Sequence, residues 1–229
     1  MKLFILLVTL NFTNCSKILA IFQLPFYSHQ ILFQKVVNEL AARGHELTVF
    51  SPFVMSANEN VTHHLFEESA EIYGKVPGGV EFKRKKMNLH VYLTYHQCKA
   101  IYDVTASQLQ HPEIQKLFNE KEKFEFDLLM MECLLCPLEV LGDIYNTSKV
   151  LISATEAVSF AHQTMENDVN PLYYPENCLP YLPGRLSFFQ KVDSVLGFAF
   201  MNLVIKPTRV ILNRWLQYKF LQTSSSGRF

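Results

Sequence analysis

Residues 17–53 follow a strand–helix–strand pattern, and this stretch constrains the fold more than any other part of the chain. An apolar run at residues 18–24 has the length of a buried strand, and Pro25 ends it because proline donates no ladder hydrogen bond. Apolar side chains then recur at helical spacing until Gly44, where a left-handed cap is expected, and residues 46–50 form a second apolar run. A strand, helix and strand within about thirty-five residues predict a right-handed βαβ unit with parallel strands.

Later apolar runs extend this unit into a larger sheet. Residues 126–131 have the pattern of a buried strand, residues 149–153 predict a further strand, and residues 80–87 predict another with a basic end. Residues 90–118 predict one or two helices interrupted at Pro112, whereas residues 54–79 are predicted to be irregular. The predicted fold class is α/β, with an open, mostly parallel, Rossmann-like sheet flanked by helices.

The composition indicates a globular protein without a nucleic-acid partner. Of the 229 residues, 49% are hydrophobic and 18% are charged, which is enough apolar material for one sizeable core. Lys and Arg number 21, and Asp and Glu also number 21. Nucleic-acid-binding domains normally carry a basic excess, so this balance predicts no nucleic-acid binding.

Residues 1–16 have the pattern of a secretory signal peptide. Lys2 precedes an apolar stretch at residues 3–10, and cleavage is predicted near Cys15 or Ser16. We therefore expect the mature chain in the secretory pathway. Two Asn-x-Ser/Thr sequons remain in it, and their residues Asn60 and Asn146 are candidate N-glycosylation sites.

His29 is the candidate catalytic residue. It follows the first predicted strand, and ligands of open parallel sheets bind at the carboxyl ends of the strands. Ser28 is the predicted N-cap of the next helix, which puts His29 in the first helical turn. The positive end of the helix disfavours imidazolium there, so His29 is expected to act as a neutral base. A plain surface histidine at a helix start is the alternative interpretation.

Glu132 follows the predicted strand at residues 126–131, and it also lies at a carboxyl strand end. Because the carboxyl ends of parallel strands share one edge of the sheet, His29 and Glu132 can converge in one cleft. The alternative is a solvated loop glutamate.

Cys133 and Cys136 form a Cys-x-x-Cys motif after the same strand. This context is typical of thiol oxidoreductases, and the motif also supplies half of many zinc sites. Zinc needs two more ligands, and Cys98 and Cys178 are isolated in the sequence. Buried thiols are therefore favoured, and thiol oxidoreductase activity is kept as an alternative function.

His63, His64 and Glu67 are a second group of potential metal ligands. Adjacent histidines on a helix face different ways, so only His63 and Glu67 would share a face. We therefore predict a solvated surface pair of histidines and no metal site.

The segments PFYSHQ, LAARGHELTVFSP and FDLLMME resemble the corresponding segments of UDP-glycosyltransferases, especially the insect and insect-virus members. The resemblance implies one half of a two-domain GT-B fold, with residues 17–220 as the acceptor-binding domain. It also implies that His29 is the catalytic base and that Glu132 orients and charges it. Many relatives carry Asp at the second position, so Glu132 is a departure. Tyr27 and Ser28, next to the histidine, are predicted substrate contacts.

This resemblance implies transfer of a sugar from a UDP-sugar to a hydroxyl of a small lipophilic acceptor. The family's donor signature and membrane anchor are absent from these 229 residues, and residues 221–229 have the composition of a disordered tail. We therefore expect that this chain binds no cofactor, that UDP-sugar is the co-substrate of the complete enzyme, and that the chain alone is inactive. The alternative is a non-catalytic protein that binds lipophilic molecules or pairs with full-length relatives.

Residues 186–220 are predicted to be helical and apolar. Their longest uncharged run, residues 194–205, is too short to cross a bilayer. Two interpretations remain, contact with a membrane surface and packing in the core. The family resemblance places the protein in the lumen of the endoplasmic reticulum, where complete members are anchored to the membrane.

Overall fold

Five parallel strands form one sheet in this computed structural model, which describes residues 15–75, 89–133, 137–155, 162, 167, 169–175, 185–207, 210, 211, 214 and 218. The strands are β1 (Lys17–Ile21), β2 (Glu46–Ser51), β3 (Val61–Leu65), β4 (Leu128–Glu132) and β5 (Ser148–Ile152). Their order across the sheet is β3-β2-β1-β4-β5, and every pairing is parallel. The predicted α/β class with an open parallel sheet is confirmed.

The helices connect these strands or follow them. They are α1 (Tyr27–Ala42), α2 (Ser69–Gly74), α3 (Leu89–Gln108), α4 (Pro112–Asn119), α5 (Val140–Ile144) and α6 (Phe188–Phe200). Short 3₁₀ turns lie at Lys121–Lys123 and Pro137–Glu139, and a π-helical segment at Met201–Ile205 extends α6. Pro112 begins α4, so residues 90–118 do contain two helices divided at that proline, as predicted.

Both faces of the sheet are buried at the central strands β1 and β4, which explains why these two strands are continuous apolar runs and do not alternate. On one face, Leu19 and Ile21 of β1 pack in a cluster that includes Ile114 of α4. On the other face, Ile18 and Ala20 pack in a cluster that includes Phe33 of α1. Each fully buried side chain of this size contributes about 1.5–3 kcal/mol of transfer free energy.

Helix α1 buries one stripe and ends at a glycine. Phe33, Val37 and Ala41 recur every fourth residue and are all buried, so this face lies on the sheet. Gly44 has φ +88° and its N–H bonds to Ala41 O at 3.0 Å, as expected of a left-handed cap. The prediction of a C-terminal cap at this glycine is confirmed.

The prediction that Ser28 caps α1 is wrong. The helix begins at Tyr27, and its N-cap is Phe26, which has extended backbone and makes no side-chain cap bond. The Phe26 carbonyl already accepts the N–H groups of His29 and Gln30, each at 3.0 Å, so the helical bonding starts before Ser28 can act as a cap. His29 remains in the first turn.

The prediction of irregular structure at residues 54–79 is also wrong, because β3 and α2 lie there. Strand β3 has the sequence VTHHL, whose polar side chains hide the strand pattern. It forms because its backbone pairs with the edge of β2, with Thr62 opposite Thr48. The predicted strand at residues 80–87 and the turn at 77–79 lie outside the described residues.

The strand positions are predicted more accurately than their ends. Strand β1 ends at Ile21, before the predicted end at residue 24. Strand β4 begins two residues later than predicted, at Leu128, and ends one residue later, at Glu132. Strand β5 is shifted by one residue. Within the described residues, no helix has the length and apolar character needed to span a membrane.

Candidate active site

The side chains of His29 and Glu132 meet at the carboxyl edge of the sheet, 103 residues apart in sequence, with His29 Nδ1 2.6 Å from Glu132 Oε1. His29 lies in the first turn of α1, which follows β1, and Glu132 is the last residue of β4. Because β1 and β4 are neighbours, their carboxyl ends place the two groups side by side. The predicted convergence of these residues is observed.

Glu132 is buried, with only 3% of its surface exposed. Loss of hydration raises the pKa of its carboxyl group. The hydrogen bond and the charge of His29 lower that pKa, as does the backbone N–H of Leu24, but burial outweighs them. Its Oε2 atom is buried and makes no hydrogen bond to any described part of the chain. Glu132 is therefore a buried carboxyl group at the end of β4 that pairs with His29. The alternative of a solvated loop glutamate does not apply.

The imidazole of His29 is held on more than one side. Phe26 contacts it edge-on with ring centroids 4.9 Å apart, and Phe33 does so at 6.4 Å. The His29 side chain is 14% exposed. Opposite an ionised carboxylate, which only accepts hydrogen bonds, Nδ1 is the protonated nitrogen of the neutral ring and Nε2 has the free lone pair. His29 is mostly buried and paired with Glu132, so the alternative of an ordinary surface histidine does not fit its surroundings.

The other predicted contacts are more exposed. Tyr27 is 68% exposed, and its ring packs edge-on against Phe53. Ser28 is also exposed. Both precede His29 in the first turn of α1, and their role in substrate binding stays a prediction.

The thiol and histidine candidates lie in ordinary structural surroundings. Cys133 directly follows β4, is 6% exposed, and donates its N–H to Ile152 O at 2.7 Å; Cys136 lies outside the described residues.

His63 Nε2 lies 2.9 Å from Ser51 Oγ, and His64 stacks on Phe50. Both histidines are partly buried on a strand, so the predicted solvated pair is wrong. Across the described ranges, no group of three or more His, Cys, Asp or Glu side chains could hold a metal.

A network of buried amides beside the pair is a feature that the sequence analysis missed. Gln23 and Gln108 bond to each other, and Gln30 Nε2 donates to Leu24 O at 3.0 Å. All three glutamines are at most 3% exposed. Gln23 is a polar residue inside the apolar run at residues 18–24, and that interruption is the only signal for the network in the sequence.

The two candidate glycosylation sites differ in their surroundings. Asn60 is partly buried, and its Nδ2 donates to Ala41 O at 3.1 Å. Asn146 is exposed and has a positive φ of 51° in the turn before β5. Glycosylation of either residue stays a prediction.

Comparison with known proteins identifies relatives along most of the chain. The chain is 29% identical over 217 residues to the ecdysteroid UDP-glucosyltransferase of Mamestra brassicae nuclear polyhedrosis virus. The alignment covers 90% of this chain and 41% of that protein. The chain is a homologue of the UDP-glycosyltransferases. The ecdysteroid UDP-glucosyltransferase of Spodoptera littoralis nuclear polyhedrosis virus is 28% identical over 85% of the chain and 40% of its own length. The UDP-glycosyltransferase UGT4 of Dactylopius coccus is 25% identical over 78% of the chain and 35% of its own length.

The UDP-glycosyltransferase resemblance inferred from the three quoted segments is thus confirmed, for the insect and insect-virus type. The chain spans about two fifths of the length of the viral relatives it matches. No family model matches the chain. No solved structure matches it either. The five-stranded parallel sheet with flanking helices is the Rossmann-like arrangement of one GT-B half.

Proposed function

We propose that this chain is the acceptor-binding part of a glycosyltransferase that moves a sugar from a UDP-sugar to a hydroxyl of a small lipophilic molecule. The relatives' names support sugar transfer in general. The observation that carries the proposal is the 2.6 Å contact between His29 and Glu132 at the carboxyl edge of the sheet. Sites for acceptors of this class are typically apolar clefts with a few polar groups.

In the proposed reaction, His29 Nε2 removes the proton from the acceptor hydroxyl. The acceptor oxygen forms a bond to the anomeric carbon while the bond from that carbon to the UDP oxygen breaks, and UDP leaves with the electron pair. Attack from the opposite side inverts the anomeric centre. General-base assistance of this kind typically contributes about 10²–10⁴ in rate.

Glu132 supports this base through Nδ1. When Nε2 takes a proton the ring becomes cationic, and the carboxylate at Nδ1 stabilises that charge, as the acid of a hydrolase triad does. The contact is made in low-dielectric surroundings, where it is stronger than in water. The longer side chain of Glu reaches the imidazole because Glu132 is the terminal residue of β4, at the same edge as the start of α1.

The UDP-sugar is proposed to bind elsewhere in a complete enzyme. The sequence contains eight glycines, and they match no glycine-rich phosphate-loop motif. Transfer requires both reactants to be oriented together, so we propose that this chain alone binds the acceptor and transfers no sugar. We further propose a secretory location, contact of α6 with a membrane surface, and association with full-length relatives.

A fusion tests the proposed function. In it, this chain replaces the matching part of the Mamestra brassicae nuclear polyhedrosis virus relative, and UDP release is measured with UDP-glucose and a panel of lipophilic alcohols that includes an ecdysteroid. Release that depends on an alcohol supports the proposal. Alcohol binding without UDP release would favour the alternative of a non-catalytic lipophile-binding protein. UDP release by the isolated chain would contradict the assignment of donor binding to the other part.

A further inference from the structure

We propose that Tyr73 is a positioning residue for His29 and that it acts through the ring of Phe26. The inference rests on the proposed function of His29 as the base. Tyr73 lies in α2, which follows β3, whereas Phe26 and His29 lie at the start of α1. The effect of Tyr73 on the imidazole is indirect, through a ring that contacts both side chains.

The Phe26 ring contacts each of the other two rings. Its centroid is 4.9 Å from that of the His29 imidazole, and the two planes are inclined by 65°. It is also 4.9 Å from the centroid of the Tyr73 ring, with the planes inclined by 88°. Both distances are typical of edge-to-face pairs. The three rings therefore form one connected series from α2 to the proposed base.

The His29 imidazole needs such packing because one hydrogen bond does not fix the plane of the ring. The bond from Nδ1 to Glu132 Oε1 restrains one ring nitrogen. The terminal torsion of a histidine side chain has a broad energy minimum, so the packing around the ring decides how tightly Nε2 is held. Phe26 supplies one of these contacts, and Phe33 supplies another, edge-on at 6.4 Å.

Phe26 needs support of its own. It is the N-cap residue of α1, and its carbonyl accepts the N–H groups of His29 and Gln30, each at 3.0 Å. These bonds fix its backbone and leave its ring to be fixed by packing. The side chain is only partly buried. The contact with Tyr73 therefore limits the positions that the Phe26 ring can take beside the imidazole.

Helix α2 is held in place by hydrogen bonds to α3 at its start. Gln108 Nε2 donates to Ser69 Oγ at 2.9 Å, and Ser107 Oγ donates to Glu68 Oε2 at 2.7 Å. Ser69 is buried, at 1% exposure. Ser69 and Tyr73 are four residues apart and so lie on the same side of the helix. The ring of Tyr73 is thus carried by a helix whose first turn is fixed.

Phe124 offers a matched control at the opposite edge of the sheet. Its ring is partly buried and stacks on that of Phe126, with centroids 6.3 Å apart. Both residues precede β4 and line a cavity with Lys17 and Glu46, the first residues of β1 and β2. Phe124→Leu therefore removes one ring of a comparable aromatic pair at the amino edge of the sheet, away from the proposed base.

The test uses the full 229-residue chain and measures by NMR how fast the proton shared by His29 Nδ1 and Glu132 Oε1 exchanges with water at one pH. Tyr73→Leu removes the ring and should speed this exchange roughly 2- to 10-fold, the effect expected from the loss of one edge-to-face contact. Tyr73→Phe keeps the ring and should exchange at the wild-type rate. Phe124→Leu should lower the melting temperature and leave the exchange rate unchanged.

A wild-type exchange rate in Tyr73→Leu would overturn the proposal. Equal acceleration in Tyr73→Leu and Phe124→Leu would also overturn it, because both variants would then show only a general loss of stability. This readout requires no sugar transfer. A fusion that releases no UDP even with the wild-type chain contradicts the proposed function, whereas an unchanged exchange rate contradicts only the role of Tyr73.

Phe26→Leu decides the matter if Tyr73→Leu does not fold. It removes the ring through which Tyr73 acts, and the imidazole then loses its own contact. The exchange of the shared proton should therefore speed up by at least as much as the loss of one ring contact predicts. An exchange rate in Phe26→Leu equal to that of the wild-type chain would overturn the proposed role of both rings.

Discussion

Nδ1 of His29, and not Nε2, lies 2.6 Å from Oε1 of Glu132. This orientation pairs Nδ1 with a buried carboxyl group, and under the proposed function Nε2 is the proton acceptor. Orientation by an acid on one nitrogen and basicity at the other is the division of labour found in hydrolase triads.

His29→Ala in the fusion should lower turnover by about 10²–10⁴, because the base acts in the transition state. Acceptor affinity should barely change, since the proton is transferred only during the reaction. His45→Ala is the matched control: this partly buried histidine precedes β2 at the opposite edge of the sheet, where its Nδ1 accepts from the Ser16 N–H at 3.2 Å. Steady-state rates and acceptor binding check the prediction, and an active His29→Ala fusion would rule out the assigned base.

Glu132→Gln in the fusion should lower turnover less than His29→Ala does, because the carboxylate acts on the base and not on the substrate. The amide keeps the size of the side chain but removes the negative charge that stabilises imidazolium. Initial rates for the two variants at one pH give the comparison. A loss in Glu132→Gln larger than that in His29→Ala would assign the direct chemical role to the carboxylate.

The stability of the chain relative to Glu132→Gln should fall as pH rises. Burial raises the pKa of Glu132 in the folded state, so the folded state binds this proton more tightly than the unfolded state does. The resulting stabilisation is present below the unfolded-state pKa and is lost as pH rises through the higher folded-state pKa. Denaturant unfolding of both proteins, from below the unfolded-state pKa of Glu132 to above its folded-state pKa, measures the difference in their unfolding free energies. A difference that grows with pH would mean that His29 outweighs burial.

Replacing Cys133 and Cys136 together with Ser should affect stability more than chemistry. Cys133 is buried behind β4, where a hydroxyl without a partner costs about 1–3 kcal/mol. Turnover per folded molecule of the fusion should stay near its original value. Melting temperature and turnover are measured on the same preparation. Lost turnover at an unchanged melting temperature would instead support a redox or metal function of the thiols.

Gly44→Ala should destabilise the fold by about 1–2 kcal/mol, because an L-residue is strained at φ +88°. The space around Gly44 is open, so the cost comes from the backbone and not from a clash. Gly74→Ala is the control: its surroundings are equally open, but its φ lies outside the left-handed region. Equal unfolding free energies for the two variants would contradict this explanation.

Much of the sheet could be predicted because strands that are buried on both faces must be apolar throughout. Strands β1 and β4 show this clearly, and the parallel order of their ends also predicted where His29 and Glu132 would meet. Strand β3 could not be found in this way, since Thr62, His63 and His64 have no apolar pattern and the strand is stabilised by backbone pairing with β2.

The hydrogen bonds next to the candidate site could not be predicted from sequence patterns. The bond between Gln23 and Gln108 joins two polar side chains that are 85 residues apart, and no periodicity relates them. The start of α1 was misplaced for a different reason. Ser28 is a favourable capping residue, but the chain direction set by β1 and Pro25 lets the Phe26 carbonyl begin the helix first.

The central position of β1 has a consequence for the timing of biosynthesis. Its partner on one side, β2, ends at Ser51, whereas its partner on the other side, β4, ends at Glu132. About eighty residues separate these ends, so a ribosome that adds about 5–20 residues per second needs roughly 4–16 s to make them. During that interval one edge of β1 has unpaired backbone N–H and C=O groups, which can pair with non-native strands. The arrival of β4 closes this edge and brings the carboxylate to the imidazole in the same step.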